Sequence, residues 1–294
     1  KIKFKHLYKS YDEILRCSEI NNIYVSTLNN THHDFIIKCI EARKNVLCEK
    51  PFVVSEVEAE NIKNRLNGSN IFFLEAIAYR THPQTEQVLK LLKENIIGKV
   101  TSIKSNFGFD AGTPLKNTRL FDSRLGGGSI LDLGCYPITF SNLISNYINN
   151  AEEIIPEIEE VSGEIHSIGV DLNAKAKLIY KNSITSEIEV SINKNLSNVT
   201  EIFGENGKIK ILDPWLPKKR NIIELYKNNK IQKIFSNSQL SLFAGQINFF
   251  NLCAINKKNQ VNKTAMSINN SVNYVKVMSK WKDLLFKKMQ ERSN

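Results

Sequence analysis

The order of short apolar runs in the first eighty residues constrains the fold more than any other feature. Ile23-Tyr24-Val25-Ser26-Thr27, Asn45 to Glu49 and Ile71 to Glu75 each read as a short buried strand. Between them, His33 to Arg43 and Ser55 to Leu66 read as helices; in the first, Phe35, Ile36, Cys39 and Ile40 fall on one face. Strands separated by helices of about ten residues predict parallel βαβ units, which stack into a doubly wound sheet.

After Pro83 the pattern changes. A helix is predicted over Thr85 to Asn95, a strand after Gly98, and an apolar stretch, Ile130 to Ile148, behind the triplet Gly126-Gly127-Gly128. From Glu153 to Phe235 apolar and polar residues mostly alternate, as in Leu172 to Leu178 and Ile188 to Ile192. Such alternation predicts a large, mostly antiparallel sheet with one polar or partner-covered face. Helices return at Leu242 to Ala254 and Ile268 to Lys287. The expected class is α/β: an incomplete Rossmann domain over residues 1–80, then an α+β domain over 81–294 for substrate and subunit contacts. The last helix is expected to turn back toward the first domain.

Composition narrows the function classes. The chain has 294 residues and is 41% hydrophobic, enough for two domains with real cores. It contains no apolar run of membrane-spanning length, and no signal peptide is visible. Its five cysteines are scattered with no C-x-x-C pair, which suits reduced thiols in a cytoplasm. The net charge of +10 comes from lysines spread along the chain, with no basic stripe interleaved with aromatics. A solvated surface is therefore expected and no nucleic-acid partner. No Walker loop, His-Glu-x-x-His or Gly-x-Ser-x-Gly occurs, and the adjacent His32 and His33 diverge on a helix, so no metal site is expected.

Three clusters carry candidate chemistry. Glu49-Lys50-Pro51 ends a strand, where ligands of open α/β sheets bind. There Lys50 can hold an alcohol oxygen, its pKa lowered by partial burial; the bland alternative is a solvated lysine. Asp132 and Tyr136 follow the glycine triplet four residues apart, on one helical face. They can orient a substrate and move a proton, provided that a cation such as Lys50 lowers the phenol's pKa; the alternative is a helix cap and a core tyrosine. In the stretch Thr27 to His32, at the end of the first strand, Asn29 and His32 suit a nicotinamide ribose or a substrate hydroxyl. Helix capping by Thr31 or Asn30 is the alternative.

In order and spacing these clusters resemble the Gfo/Idh/MocA oxidoreductases. The resemblance rests on Thr27-Leu28-Asn29-Asn30-Thr31-His32, Lys44 to Pro51, Leu74 to Pro83, Leu120 through Pro137 and Ile202 to Ile209. Within the family it is similar to the branch of dimeric dihydrodiol, xylose and glucose-fructose enzymes. It implies NAD or NADP as cofactor and hydride transfer at a carbinol carbon of a sugar, polyol or cyclic diol. It implies catalytic roles for Lys50, Asp132 and Tyr136. Thr27, Asn29, His32, Glu49, Lys50 and Pro51 would lie around the cofactor. A homodimer or tetramer through the C-terminal sheet is also implied, and substrate specificity would sit in loops such as Gly108 to Arg124.

One departure stands at the front. None of the thirteen glycines makes the family's Gly-x-Gly-x-x-Gly, and His6-Leu7-Tyr8 with the segment Ser10 to Leu15 resembles its third strand and following helix. The chain is therefore expected to lack the first βαβ unit, to leave the edge of the Ile23 strand open, and to bind NAD(P) poorly by itself. A non-catalytic, ligand-binding or dimerising protein of the same fold is the rival reading.

Overall fold

A computed structural model describes residues 4–113, 119–151, 154–181, 183–256 and 264–293. The first layer alternates helices and strands: α1 (Tyr11–Arg16), β1 (Asn22–Val25), α2 (His32–Glu41), β2 (Asn45–Cys48), α3 (Glu56–Leu66) and β3 (Phe73–Glu75). The three strands pair in parallel in the order β1-β2-β3. Ser10 and Ser55 cap α1 and α3 by accepting from the Glu13 and Glu58 amides, each at 3.3 Å. Buried Lys44 ties the loop after α1 to the sheet, donating to the Cys17 and Ile20 carbonyls at 2.8 and 2.7 Å.

One expectation is corrected here. His6-Leu7-Tyr8 is not a strand; no strand precedes β1 among the described residues, and Leu7 is exposed. A strand holds its shape by pairing, and this segment has no neighbour to pair with. β1 is the sheet edge, paired only with β2, and its Tyr24 is half exposed.

The second layer holds α4 (Pro83–Lys93), β4 (Val100–Gly108), α5 (Ser129–Leu133) and α6 (Cys135–Asn149). It continues through β5 (Glu157–Ile165), β6 (Asp171–Ile179), β7 (Thr185–Ser191), β8 (Thr200–Gly204), β9 (Gly207–Ile211), β10 (Arg220–Lys227) and β11 (Lys230–Asn237), and closes with α7 (Leu242–Asn256) and α8 (Ile268–Ser293). The α4 helix starts two residues before the expected Thr85. The His82 ring accepts from the Gln84 amide at 3.1 Å and Pro83 takes the first turn. Residues 152 and 153, where the alternating pattern was expected to begin, lie outside the described residues, and so do residues 114–118 of the 108–124 loop.

The large sheet runs β11-β10-β9-β8-β4-β7-β6-β5, with β4 and β7 its one parallel pair. Its inner face is apolar and packs on α5, α6 and α8, where Trp281 of α8 is wholly buried and donates to the Lys175 carbonyl at 3.1 Å. The other face carries a row of alternating charge. Lys233, Glu224, Lys210, Glu201, Lys104, Glu187, Lys177 and Glu160 stand opposite one another in register across all eight strands. Opposite charges on facing strands stabilise pairing modestly. The α8 helix also reaches the first layer: Lys276 lies 2.6 Å from Glu60 and 3.7 Å from Glu56 on α3.

Candidate active site

The carboxyl ends of β1 and β2 face the glycine turn that precedes α5. Asn29, just past β1, is buried and donates to the Gly126 carbonyl at 3.2 Å, joining the two layers. The turn is not a flexible hinge. Gly126 and Gly128 hold φ of +74° and +105°, and a Cβ on Gly127 would stand 2.6 Å from the Leu120 carbonyl. Only glycine fits all three positions without strain.

The turn delivers α5 with its N-terminus capped from another strand. Buried Asp171 of β6 accepts from the Ser129 hydroxyl and the Ile130 amide, both at 2.7 Å. Asp132 then projects from the first turn of α5, so it is not the cap that the alternative reading assigned it. Pro137 separates α5 from α6: without an N–H it cannot close the bond to the Leu133 carbonyl, and the helix breaks at Gly134. Gly134 keeps right-handed helical angles, so Asp132 and Tyr136 still share a side.

Lys50 meets both. Its Nζ donates to the Asp132 carbonyl at 2.6 Å and to Asp132 Oδ1 at 3.3 Å, and it lies 5.2 Å from the centre of the Tyr136 ring. Arg119 adds a second cation, with both terminal nitrogens 3.2 Å from the same carboxylate oxygen. Burial works to raise the Asp132 pKa, but the Lys50 and Arg119 charges outweigh it and hold the group below the ordinary aspartate value. Burial likewise works to lower the Lys50 pKa, but Asp132 leads the charges that carry it above the ordinary lysine value. That reverses the expectation of a lysine with a depressed pKa. For Tyr136, by contrast, burial prevails: its pKa is raised, and the opposing pull of Lys50 does not bring the phenol toward neutrality. The ring is buried beside Phe107 and Trp215, with centroids 5.0 and 6.1 Å away.

The remaining expected residues divide. Thr27, half-buried, accepts through its hydroxyl from Thr31 at 2.8 Å. Glu49 accepts a short hydrogen bond from the Tyr24 hydroxyl and a longer one, 3.3 Å, from the Lys50 amide. His32 is wholly buried, with Nδ1 2.8 Å from the Pro51 carbonyl and Nε2 3.1 Å from the Thr27 carbonyl. Each ring nitrogen meets a backbone carbonyl, so His32 is wedged between the two loops. Burial lowers its pKa, and a neutral ring donates to one of the two carbonyls.

Arg119, Glu75 and Asp171 escaped the reading of the sequence. Glu75 belongs to the stretch Leu74 to Pro83, but nothing local marks its buried carboxyl as a hub. Among the described residues no group of three or more His, Cys, Asp or Glu is placed to hold a metal ion.

A parallel sheet and a glycine turn thus meet at a lysine–aspartate pair between two layers. Residues 2–75 match the family model described as oxidoreductase family, NAD-binding Rossmann fold, and residues 85–210 match the GFO/IDH/MocA C-terminal domain. The chain belongs to the Gfo/Idh/MocA family. It is 32% identical over 211 residues to a trans-1,2-dihydrobenzene-1,2-diol dehydrogenase of Xenopus tropicalis, covering 71% of this chain and 61% of that protein. The mouse enzyme of the same name is 30% identical over 217 residues, covering 74% and 62%. The chain thus spans about three fifths of the length of these relatives. Among solved structures, an Actinomadura kijaniata 3-ketoreductase in complex with NADP and TDP-benzene superposes with a TM-score of 0.81 at 20% identity, covering 92% of this chain and 80% of that one. An aldose-aldose oxidoreductase of Caulobacter crescentus, complexed with glycerol, gives 0.80 at 18% identity, covering 93% and 80%.

Proposed function

We propose that this chain serves NAD(P)-dependent hydride transfer at a carbinol carbon of a sugar, polyol or cyclic diol. One observation carries the reading: the Lys50 ammonium lies between the Asp132 carboxylate and the Tyr136 ring at the carboxyl end of β2. The residues present fit the nicotinamide end of the cofactor. Thr27, Glu49, Lys50 and Pro51 stand together at the strand ends, with Asn29 and His32 holding their loops. No glycine fingerprint in the chain cradles a pyrophosphate. When bound, the cofactor supplies or accepts the hydride.

The chain's own groups handle charge and protons. Lys50 and Tyr136 both keep their protons at neutral pH, so the pair is set to stabilise and protonate a developing alkoxide. Asp132 aims the ammonium, while Arg119 keeps that carboxylate ionised. In the reverse direction Tyr136 takes the hydroxyl proton, which requires a more alkaline medium.

The test is a screen of aldoses, inositols and cyclic diols with both cofactors, read by nicotinamide absorbance, on the native chain, Lys50→Met and Tyr136→Phe. Turnover lost in both variants at unchanged melting temperature is the expected result. Absence of turnover at saturating cofactor across all three substrate classes counts against the reading.

The charged row supports a homodimer through the large sheet. A two-fold axis reverses the row and sets each lysine opposite a glutamate of the second copy. Light scattering of the native chain and of Glu187→Lys measures it. Five free thiols suit a reducing compartment such as the cytoplasm, and among the described residues no helix is long and apolar enough to cross a membrane.

A further inference from the structure

The contacts of the Lys50 side chain leave open what holds its backbone. Lys50, Pro51 and Phe52 leave the end of β2 as a loop, and a misplaced loop would draw the ammonium away from Asp132. His32 supplies one tie, at the Pro51 carbonyl. The other lies on the far side of the loop, where the Phe52 amide donates to Glu75 Oε1 at 3.0 Å.

Glu75 ends β3 and is 1% exposed. The oxygen that takes the Phe52 amide also accepts a short hydrogen bond from the Tyr274 hydroxyl, and its other oxygen accepts from Ser271 at 2.6 Å. Ser271 and Tyr274 are three apart on α8, so they share a face and reach one carboxyl. Among the described residues no cation lies within ion-pair distance of it. Three donors from two elements thus converge on a buried carboxyl that no substrate-facing role explains. Leaving such donors unmet inside a protein is costly, so the junction resists displacement.

We propose that Glu75 is a positioning residue for Lys50: its carboxyl pins the Phe52 amide and α8 to the end of β3, and thereby holds the Lys50 ammonium on Asp132. Glu75 does not touch the reacting atoms. It acts through two peptide units, and it makes the docking of α8 a condition for an ordered Lys50.

The test reads structure and needs neither cofactor nor turnover, so it stands or falls separately from the hydride-transfer reading. Hydrogen exchange at Phe52 and acylation of Lys50 by dilute acetic anhydride are followed by mass spectrometry, with exposed Lys90 as the internal reference. In Glu75→Ala, Phe52 is expected to exchange about tenfold faster than in the native chain, from the loss of a buried hydrogen bond. Lys50 acylation rises with it, and Lys90 does not change. Glu75→Gln keeps an acceptor for the Phe52 amide and restores both rates to within about threefold, because rotatable hydroxyls can accept from its amide. If Glu75→Ala does not fold, Glu75→Asp replaces it; one methylene shorter, it withdraws from the Phe52 amide and is expected to raise both rates. Native rates at Phe52 and Lys50 in a folded Ala or Asp variant overturn the proposal. A Gln variant as disturbed as the Ala variant overturns it too.

Discussion

Replacing Gly128 by alanine tests the way in which the site is built. Gly128 holds φ +105° and ψ 154°, a region that is essentially glycine's alone, so any side chain costs about 1–3 kcal/mol in the backbone. An added Cβ would also stand 2.3 Å from Asp171 Oδ1 and 3.1 Å from its Cγ. Oδ1 is buried and has no hydrogen-bond partner among the described residues, so moving it alone would lose nothing. But a carboxylate is rigid. Pushing Oδ1 aside carries Oδ2 away from the Ser129 hydroxyl and the Ile130 amide, the cap of the helix that presents Asp132. Each hydrogen bond to a charged group is worth about 1.5–3 kcal/mol, so Gly128→Ala is expected to lose about 5 kcal/mol in all, much of a typical domain's stability. Guanidinium unfolding measures it.

Two other glycines provide the control. Gly169 and Gly68 hold φ of +84° and +74° with nothing within 4 Å of an added Cβ, so alanine there costs about 1 kcal/mol from the backbone alone. A Gly128→Ala loss no larger than theirs refutes the steric argument. In a double-mutant cycle, Asp171→Ala removes the group that Cβ strikes. The double variant is therefore expected to lose less than the sum of the singles, and strict additivity would show that the clash does not occur.

The remaining predictions concern buried groups that hold α8. Burial pushes the Glu75 pKa up to about 7, with like charge from Glu49 adding, against hydrogen bonds from Ser271, Tyr274 and the Phe52 amide. Folded Glu75 therefore keeps a proton that the unfolded chain has lost, and native stability falls as pH rises between about 4.5 and 7. Relative to Glu75→Gln the native chain should lose about 3 kcal/mol over that window, read from urea midpoints; a flat difference refutes the assignment. Trp281→Ala empties the space beneath Gly134 and removes a donor from the Lys175 carbonyl, so a loss of about 3–5 kcal/mol is expected in thermal melts, and a loss under about 1 kcal/mol would contradict this packing.

What the sequence shows of this molecule follows the range of the interaction. The βαβ order was legible because burial stamps a period on neighbouring residues, while element ends shifted by a few residues, at the start of α4 because His82 and Pro83 cap it. The antiparallel sheet was legible strand by strand, yet its charged row was not, since register pairs residues far apart in the chain. Lys50 and Asp132 are 82 residues apart, and their pairing came from resemblance, not from spacing. Their protonation was read with the wrong sign because pKa values depend on burial and on neighbours that no local pattern reports. The Asp132 carboxylate beside Lys50 and the depth of the Tyr136 ring decide that both Lys50 and Tyr136 rest protonated. Glu75 and Asp171 were silent for the same reason. A carboxyl within an apolar run looks alike whether it is a misfit or a hub, and only the donors that reach it from other elements tell the two apart. The residues that position this site are therefore the ones a single sequence hides best: their partners come from distant elements, and their burial leaves no periodic mark.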